Sequence, residues 1–121
     1  MSTDPRHRLG RRGERLASEH LERLGYTIVA RNHRTRFGEI DLVAVDAEWL
    51  VFVEVKTRRG QGRPWDSLDE RKQRQVRRMG RAYLSQVDDR PKRKNVRFDA
   101  IGVTFDAAGD LAALEHLEGA F

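Results

Sequence analysis

Two adjacent runs decide how this chain reads: Gly38-Glu39-Ile40-Asp41-Leu42-Val43-Ala44-Val45, and then Trp49-Leu50-Val51-Phe52-Val53-Glu54-Val55-Lys56. The first alternates as a strand does, with Ile40 and Leu42 facing one way and Asp41, Val43 and Val45 the other. The second is almost wholly apolar, which predicts a central strand buried on both faces. Joined as a hairpin, the two runs pair so that Val45 meets Leu50, Val43 meets Phe52, Asp41 meets Glu54 and Glu39 meets Lys56. A slip of one residue would part the apolar pairs, so the pattern specifies the register. Ala47-Glu48 is a poor two-residue turn, and a four-residue connection from Asp46 to Trp49 is expected instead.

That register sets two carboxylates opposite each other, with Cβ atoms roughly 4.5–5.5 Å apart. Like charges among apolar neighbours repel, and loss of water strengthens the repulsion. The pair persists if one acid keeps a proton or if a cation lies between them. A hard ion such as Mg²⁺ takes oxygen ligands and keeps several waters, so Asp41, Glu54 and the nearby backbone carbonyl of Val55 would suit it. Lys56, one strand period after Glu54, could orient a metal-bound water or steady a phosphate oxygen. The alternative is that Glu54 and Lys56 are outward strand charges and Glu39–Lys56 an ordinary cross-strand ion pair.

Working outward, residues 1–8 read as a frayed basic arm. Leu16, Ala17, Leu21 and Leu24 recur at helical spacing and Gly25 stops that helix. Glu14 lies at the margin of the stripe, either reaching inward as a third acid or standing in solvent; His20 lies within it and reads as a packed core histidine. Tyr26 to Arg31 is β-rich, and residues 32–38 read as a polar turn. After the hairpin comes a basic loop, Arg58 to Pro64. Ser67 with Glu70 fits a capping box for a helix to about Val87, buried through Val76, Met79, Ala82, Tyr83 and Val87. A second basic turn contains Pro91-Lys92-Arg93-Lys94. Residues 96–105 alternate as a strand, and 111–118 suit either a helix or a returning strand. In Arg97-Phe98-Asp99, the aspartate serves either a structural salt bridge or a site. The order is helix, three strands, helix, strand and one open element: an α/β single domain over 1–121 with a mixed sheet flanked by helices.

The chain has 121 residues, with 24 Lys+Arg against 19 Asp+Glu and a net charge of +5. It has no cysteine, which excludes disulfides and thiolate metal sites. No apolar run is long enough for a membrane span, and a cytoplasmic location is expected. A basic, mostly arginine surface suits phosphate groups. The candidate contacts to nucleic acid are Arg11 and Arg12 near the N-terminus, Arg58, Arg59 and Arg63 in the first loop, Lys92, Arg93 and Lys94 in the second, and Lys72 on the second helix. Trp49 and Trp65 are too few to argue base stacking.

Taken in order, Gly13-Glu14 with Ala17, Arg31-Asn32, Gly38 to Leu42, Val51 to Arg58, Lys72, Arg97-Phe98-Asp99 and Ala120-Phe121 resemble the YraN family of small bacterial proteins. That family is similar to archaeal Holliday-junction resolvases within the PD-(D/E)XK nuclease superfamily. The resemblance implies a restriction-endonuclease-like αβββαβ core with the last segment as a strand. It also implies metal binding by Asp41 and Glu54, help to the attacking water from Lys56, and Glu14 beside the site. The expected function is a Mg²⁺- or Mn²⁺-dependent endonuclease on DNA, branched or structured DNA in particular, with a homodimer implied by the resolvase-type relatives. The other readings are a non-catalytic nucleic-acid-binding module of the same fold and a structural protein whose acids form ion pairs.

Overall fold

A computed structural model describes residues 4–60, 65 and 68–121. The elements in chain order are α1 (Pro5–Arg23), β1 (Thr27–Thr35), β2 (Gly38–Val45), β3 (Trp49–Arg59), α2 (Glu70–Gln86), β4 (Asn95–Phe105) and β5 (Leu111–Leu117). The strands form one five-stranded sheet in the order β1-β2-β3-β4-β5. β3 and β4 run parallel, joined through α2, and every other neighbour is antiparallel. This mixed sheet between two helices is compatible with a restriction-endonuclease-like core. The segment 111–118 is settled as a strand, paired to β4 from Ala100–Leu117 to Phe105–Leu111. No helix among the described residues is long and apolar enough to cross a membrane.

The expected hairpin register holds where the residues are apolar: Val45–Leu50, Ala44–Val51, Val43–Phe52 and Leu42–Val53. The turn is closed by the Asp46 N–H donating to Trp49 O, while Asp46 Oδ1 accepts from the N–H groups of Glu48 and Trp49. The ladder stops at Leu42–Val53, so Asp41–Glu54 and Glu39–Lys56 are not ladder pairs. Glu39 instead lies 3.9 Å from Arg34 in an exposed ion pair. Ile40 also departs from the expected alternation. It packs beside Val43 and Val45, while Leu42 and Ala44 face the other way. From Ile40 back to Gly38 the ladder partners lie in β1, so this end of the strand can turn away from β3 with the twist of the sheet.

Each face of β3 buries a separate core. Val51, Val53 and Val55 pack with Ala17 and Leu21 of α1, and Leu50 and Phe52 pack with Val76, Met79 and Tyr83 of α2. Full burial of one such aliphatic or aromatic side chain contributes about 1.5–3 kcal/mol. Two glycines let the helices approach this closely. A Cβ on Gly13 would lie 2.1 Å from Thr57 Oγ1, and one on Gly80 would lie 2.6 Å from Phe98 Cε1.

Four boundaries differ from the sequence reading. Residues 4–8 are cap and helix rather than a loose arm: Asp4 caps α1 through the Arg6 N–H, with Pro5 at its start. β1 continues to Thr35, because the polar residues His33, Arg34 and Thr35 still find ladder partners in β2. Leu24 lies outside the core at 54% exposure, as the helix has ended there. α2 is capped by Asp69, which accepts from the Lys72 N–H. Ser67, expected as the cap, lies outside the described residues.

Candidate functional site

Where β2 leaves β3, backbone groups lose their ladder partners and a side chain takes over. The Val55 N–H donates to Asp41 Oδ2 at 2.8 Å. The N–H and C=O of a strand residue point to the same neighbour, so the Val55 carbonyl opens on the same gap. Glu54, the next residue back, faces α2 and is only 6% exposed. Its Oε1 lies 3.1 Å from Lys72 Nζ and 3.6 Å from Lys56 Nζ. Strand alternation brings Lys56 to Glu54, and the α2 crossover delivers Lys72 from a distant part of the chain.

Among the described residues no cation lies within 4.0 Å of Asp41. Burial first, and then the neighbouring Glu54 charge, push its pKa up to about 7; the Val55 N–H and Lys72 work against that and Glu14 adds to it. Glu14 approaches from α1, where Gly13 sits against Thr57. Burial pushes the Glu14 pKa up, a hydrogen bond from Asn32 opposes this, and Glu39 and Glu54 reinforce it. Asn32 has φ 49, a left-handed conformation that asparagine tolerates better than most residues, and so turns its amide toward Glu14.

Three mutually repelling carboxylates and two lysines thus gather where β2 parts from β3. Among the described residues no three or more His, Asp or Glu side chains close a metal cage by themselves. Two carboxylates with a backbone carbonyl still fit Mg²⁺, which is held through few protein oxygens and retains water. Burial first and the Glu54 charge second raise the Asp41 pKa, and a nearby positive charge would act against that rise.

The profile of the family described as "Uncharacterised protein family UPF0102" matches residues 13–103. The chain belongs to the UPF0102 family. It is 43% identical over 121 residues to a UPF0102 protein of Pelotomaculum thermopropionicum, covering 98% of each chain. A UPF0102 protein of Geobacter sulfurreducens is 46% identical over 115 residues, 93% of this chain and 88% of that one. One from Symbiobacterium thermophilum is 47% identical over 98 residues, covering 79% and 81%. The UPF0102 region takes in Glu14, Asn32, Asp41, Glu54, Lys56 and Lys72.

Of the sequence candidates, Glu14, Asp41, Glu54, Val55, Lys56 and Lys72 come together. Arg11 lines a hollow of about 360 Å³ with Glu14 and Asn32. Arg58 follows Lys56 on the α2 side of β3 by strand alternation. Arg12 and Arg59 are tied elsewhere, donating to Gly109 O and Ala107 O at 2.8 Å each, and Arg12 also stacks over Phe105. Lys92, Arg93 and Lys94 precede Asn95, which pairs with Trp49. Trp49 is seven residues from Lys56, so this loop lies about 23 Å along β3 from the site. Lys92 donates to Asp88 O and Arg93 to Asp46 O. Arg63 lies outside the described residues. Asn32 is a site residue that the sequence reading does not single out; it stands at the start of the stretch read as a polar turn, where an asparagine is ordinary, and only its place inside β1 with positive φ marks it.

Asp99 and His20 belong to a different cluster. Asp99 is fully buried and accepts from Arg97 Nε and Nη2 at 2.8 and 2.9 Å and from the Gly119 N–H at 3.0 Å. His116 Nε2 lies 2.8 Å from Asp99 Oδ2, and His116 Nδ1 lies 3.1 Å from His20 Nε2. Burial alone would raise Asp99, but His116, Arg97 and the Gly119 N–H outweigh it and hold its carboxyl below the usual range. The structural salt bridge is therefore the role observed for Asp99, and His20 is hydrogen-bonded rather than simply packed.

Proposed function

We propose that this UPF0102 chain is a metal-dependent endonuclease that hydrolyses DNA phosphodiester bonds, in branched or structured DNA in particular. The observation that carries the reading is the meeting of Asp41, Glu54 and the Val55 carbonyl at the end of the β2–β3 ladder, with Lys56 beside them. Asp41, Glu54 and Val55 would hold Mg²⁺ or Mn²⁺. When bound, that ion supplies charge neutralisation on the phosphate and a more acidic water. Lys56 steadies a non-bridging phosphate oxygen, Lys72 keeps Glu54 in place, and Glu14 with Asn32 orients water from the α1 side. The resemblance to PD-(D/E)XK nucleases supports the metal role of Asp41 and Glu54 and the place of Glu14 beside the site, and it gives Lys56 the further task of helping the attacking water.

One observation favours the second reading, a non-catalytic nucleic-acid-binding module. Glu54 Oε1 already has two lysine partners, an arrangement that neutralises it without a metal. The discriminating experiment incubates wild type, Asp41→Asn and Lys56→Ala with linear, flapped and four-way DNA in Mn²⁺ or EDTA, beside calorimetry with the metal alone. The expected result is metal-dependent cleavage by wild type, reduced about a hundredfold or more in both variants, with metal binding lost in Asp41→Asn. DNA binding without metal binding or cleavage by wild type overturns the enzyme reading in favour of the module.

A further inference from the structure

From Arg71 to Gln86, α2 carries six cations and no acid. A solvated helix is stabilised by opposite charges three or four residues apart and weakened by like charges at that spacing. Here Arg74–Arg78 and Arg77–Arg81 are both like pairs at i,i+4. Arg71, Arg74, Arg78 and Arg81 are all exposed. Among the described residues only Arg74 of these four has an acidic partner, Glu70 at 3.9 Å. Such a row is self-repelling unless an anion covers it.

The row also leads somewhere. Arg36, Arg78 and Arg81 line an open hollow of about 520 Å³. A second hollow, of about 680 Å³, is lined by Arg71, Arg74 and Arg78 and opens on Lys56 and Lys72. Phe37 and Arg78 line both, so the two join into one basic trough ending at the lysines that hold Glu54.

We infer that the exposed arginine row of α2 is the track for the phosphate backbone of one strand of a DNA duplex, leading it to the acidic cluster. This deepens the nuclease reading, and rests on it for the bond that is cut. The dimensions agree. Ten residues of helix from Arg71 to Arg81 span about 15 Å, and that length of duplex axis carries about four phosphates of one strand at a rise of about 3.4 Å each. Arginine, with its fixed planar fork, suits repeated phosphate contacts better than lysine. The track differs from the loop cations Lys92 and Lys94, which lie at the other end of β3.

The test uses two variants of equal charge, Arg78→Gln/Arg81→Gln and Lys92→Gln/Lys94→Gln. Binding of a fluorescent 20-base-pair duplex is measured in EDTA, where metal-dependent cleavage cannot interfere, over a range of salt. The α2 double variant should bind about tenfold or more weakly at 0.1 M salt, with the slope of log K against log salt shallower by about 1.8, while the loop variant keeps the wild-type slope. Arg71→Gln, at the mouth of the trough, should lower the slope by about 0.9. Melting curves near wild type show that the variants fold. An unchanged slope in the α2 variants, or an equal loss in the loop variant, overturns the track. A lost slope in a protein whose wild type never cleaves DNA keeps the track and sinks the nuclease reading. Cleavage by wild type with the α2 slope unchanged does the reverse.

Discussion

Two clusters of buried or half-buried charge each draw a residue from α1, Glu14 in one and His20 in the other, and they are built on opposite principles. Around Asp99 every acceptor has a donor: Arg97 makes two hydrogen bonds, and His116 and the Gly119 N–H make one each. Around Asp41 three acids crowd together, and the two lysines both serve Glu54. The pKa values move accordingly, down for Asp99 and up to about 7 for Asp41. A buried acid with its full set of partners holds a fold together. A buried acid that repels its neighbours is unfavourable for the fold, and such acids cluster at functional sites.

The largest effect should come from breaking the satisfied cluster. Asp99→Ala strands the half-buried Arg97 and leaves His116 and the Gly119 N–H without their acceptor. It should cost about 3–5 kcal/mol in urea unfolding at pH 7. Because the Asp99 pKa is lowered, its stabilisation is full above the unfolded value near 3.8 and is lost as pH falls through the folded value. Wild type should therefore lose more stability below pH 4 than Asp99→Ala does. A variant as stable as wild type would remove the distinction between the clusters.

The next largest has the opposite sign. The raised Asp41 pKa gives a stability that is full below about pH 4 and is lost as pH rises to about 7. Asp41→Asn keeps an acceptor for the Val55 N–H but removes the charge. In metal-free buffer at pH 8 it should be more stable than wild type by about 2–4 kcal/mol, and the gain should vanish near pH 4. A loss of stability at pH 8 would mean that Asp41 is satisfied as Asp99 is.

Two smaller effects sharpen the contrast. Glu14→Gln should also stabilise at pH 8, by less than Asp41→Asn, because the Glu14 pKa is raised and Asn32 offsets part of its burial. Thermal melts of the two variants side by side measure the order. In the other cluster the His20 pKa is lowered, by burial first and then by His116 and Arg23. Its contribution is full above the unfolded value of about 6.5 and is lost as pH falls. The slope of stability against pH between 6.5 and 5 should be flatter in His20→Asn, and a slope equal to wild type would exclude His20 from the cluster's pH response.

Much of this was legible in the residues. The hairpin register could be read because Val43, Val45, Leu50 and Phe52 are close in sequence and a slip would expose them. The helix stripes could be read for the same local reason: Ala17 and Leu21, and Val76, Met79 and Tyr83, recur at the helical period and are buried. The conflict between Asp41 and Glu54 was visible too, although its geometry was not. The acids meet through a side chain inserted where the ladder ends, not as a ladder pair. Lys72 could be read as a cation of the second helix, but its reach to Glu54 depends on how α2 lies across the sheet. Nothing local joins Asn32 to Glu14 or His116 to Asp99, which come together only when distant elements pack.

By itself, then, the order of side chains determined which segments form strands and helices and which face each one buries, because periodicity is a property of neighbours along the chain. Tertiary structure alone decided where the β2–β3 ladder ends, that Lys72 joins Lys56 at Glu54, and which of two buried aspartates is satisfied. Those outcomes depend on the height and angle at which separate elements meet. Packing sets that geometry through contacts such as Gly13 on Thr57 and Gly80 on Phe98.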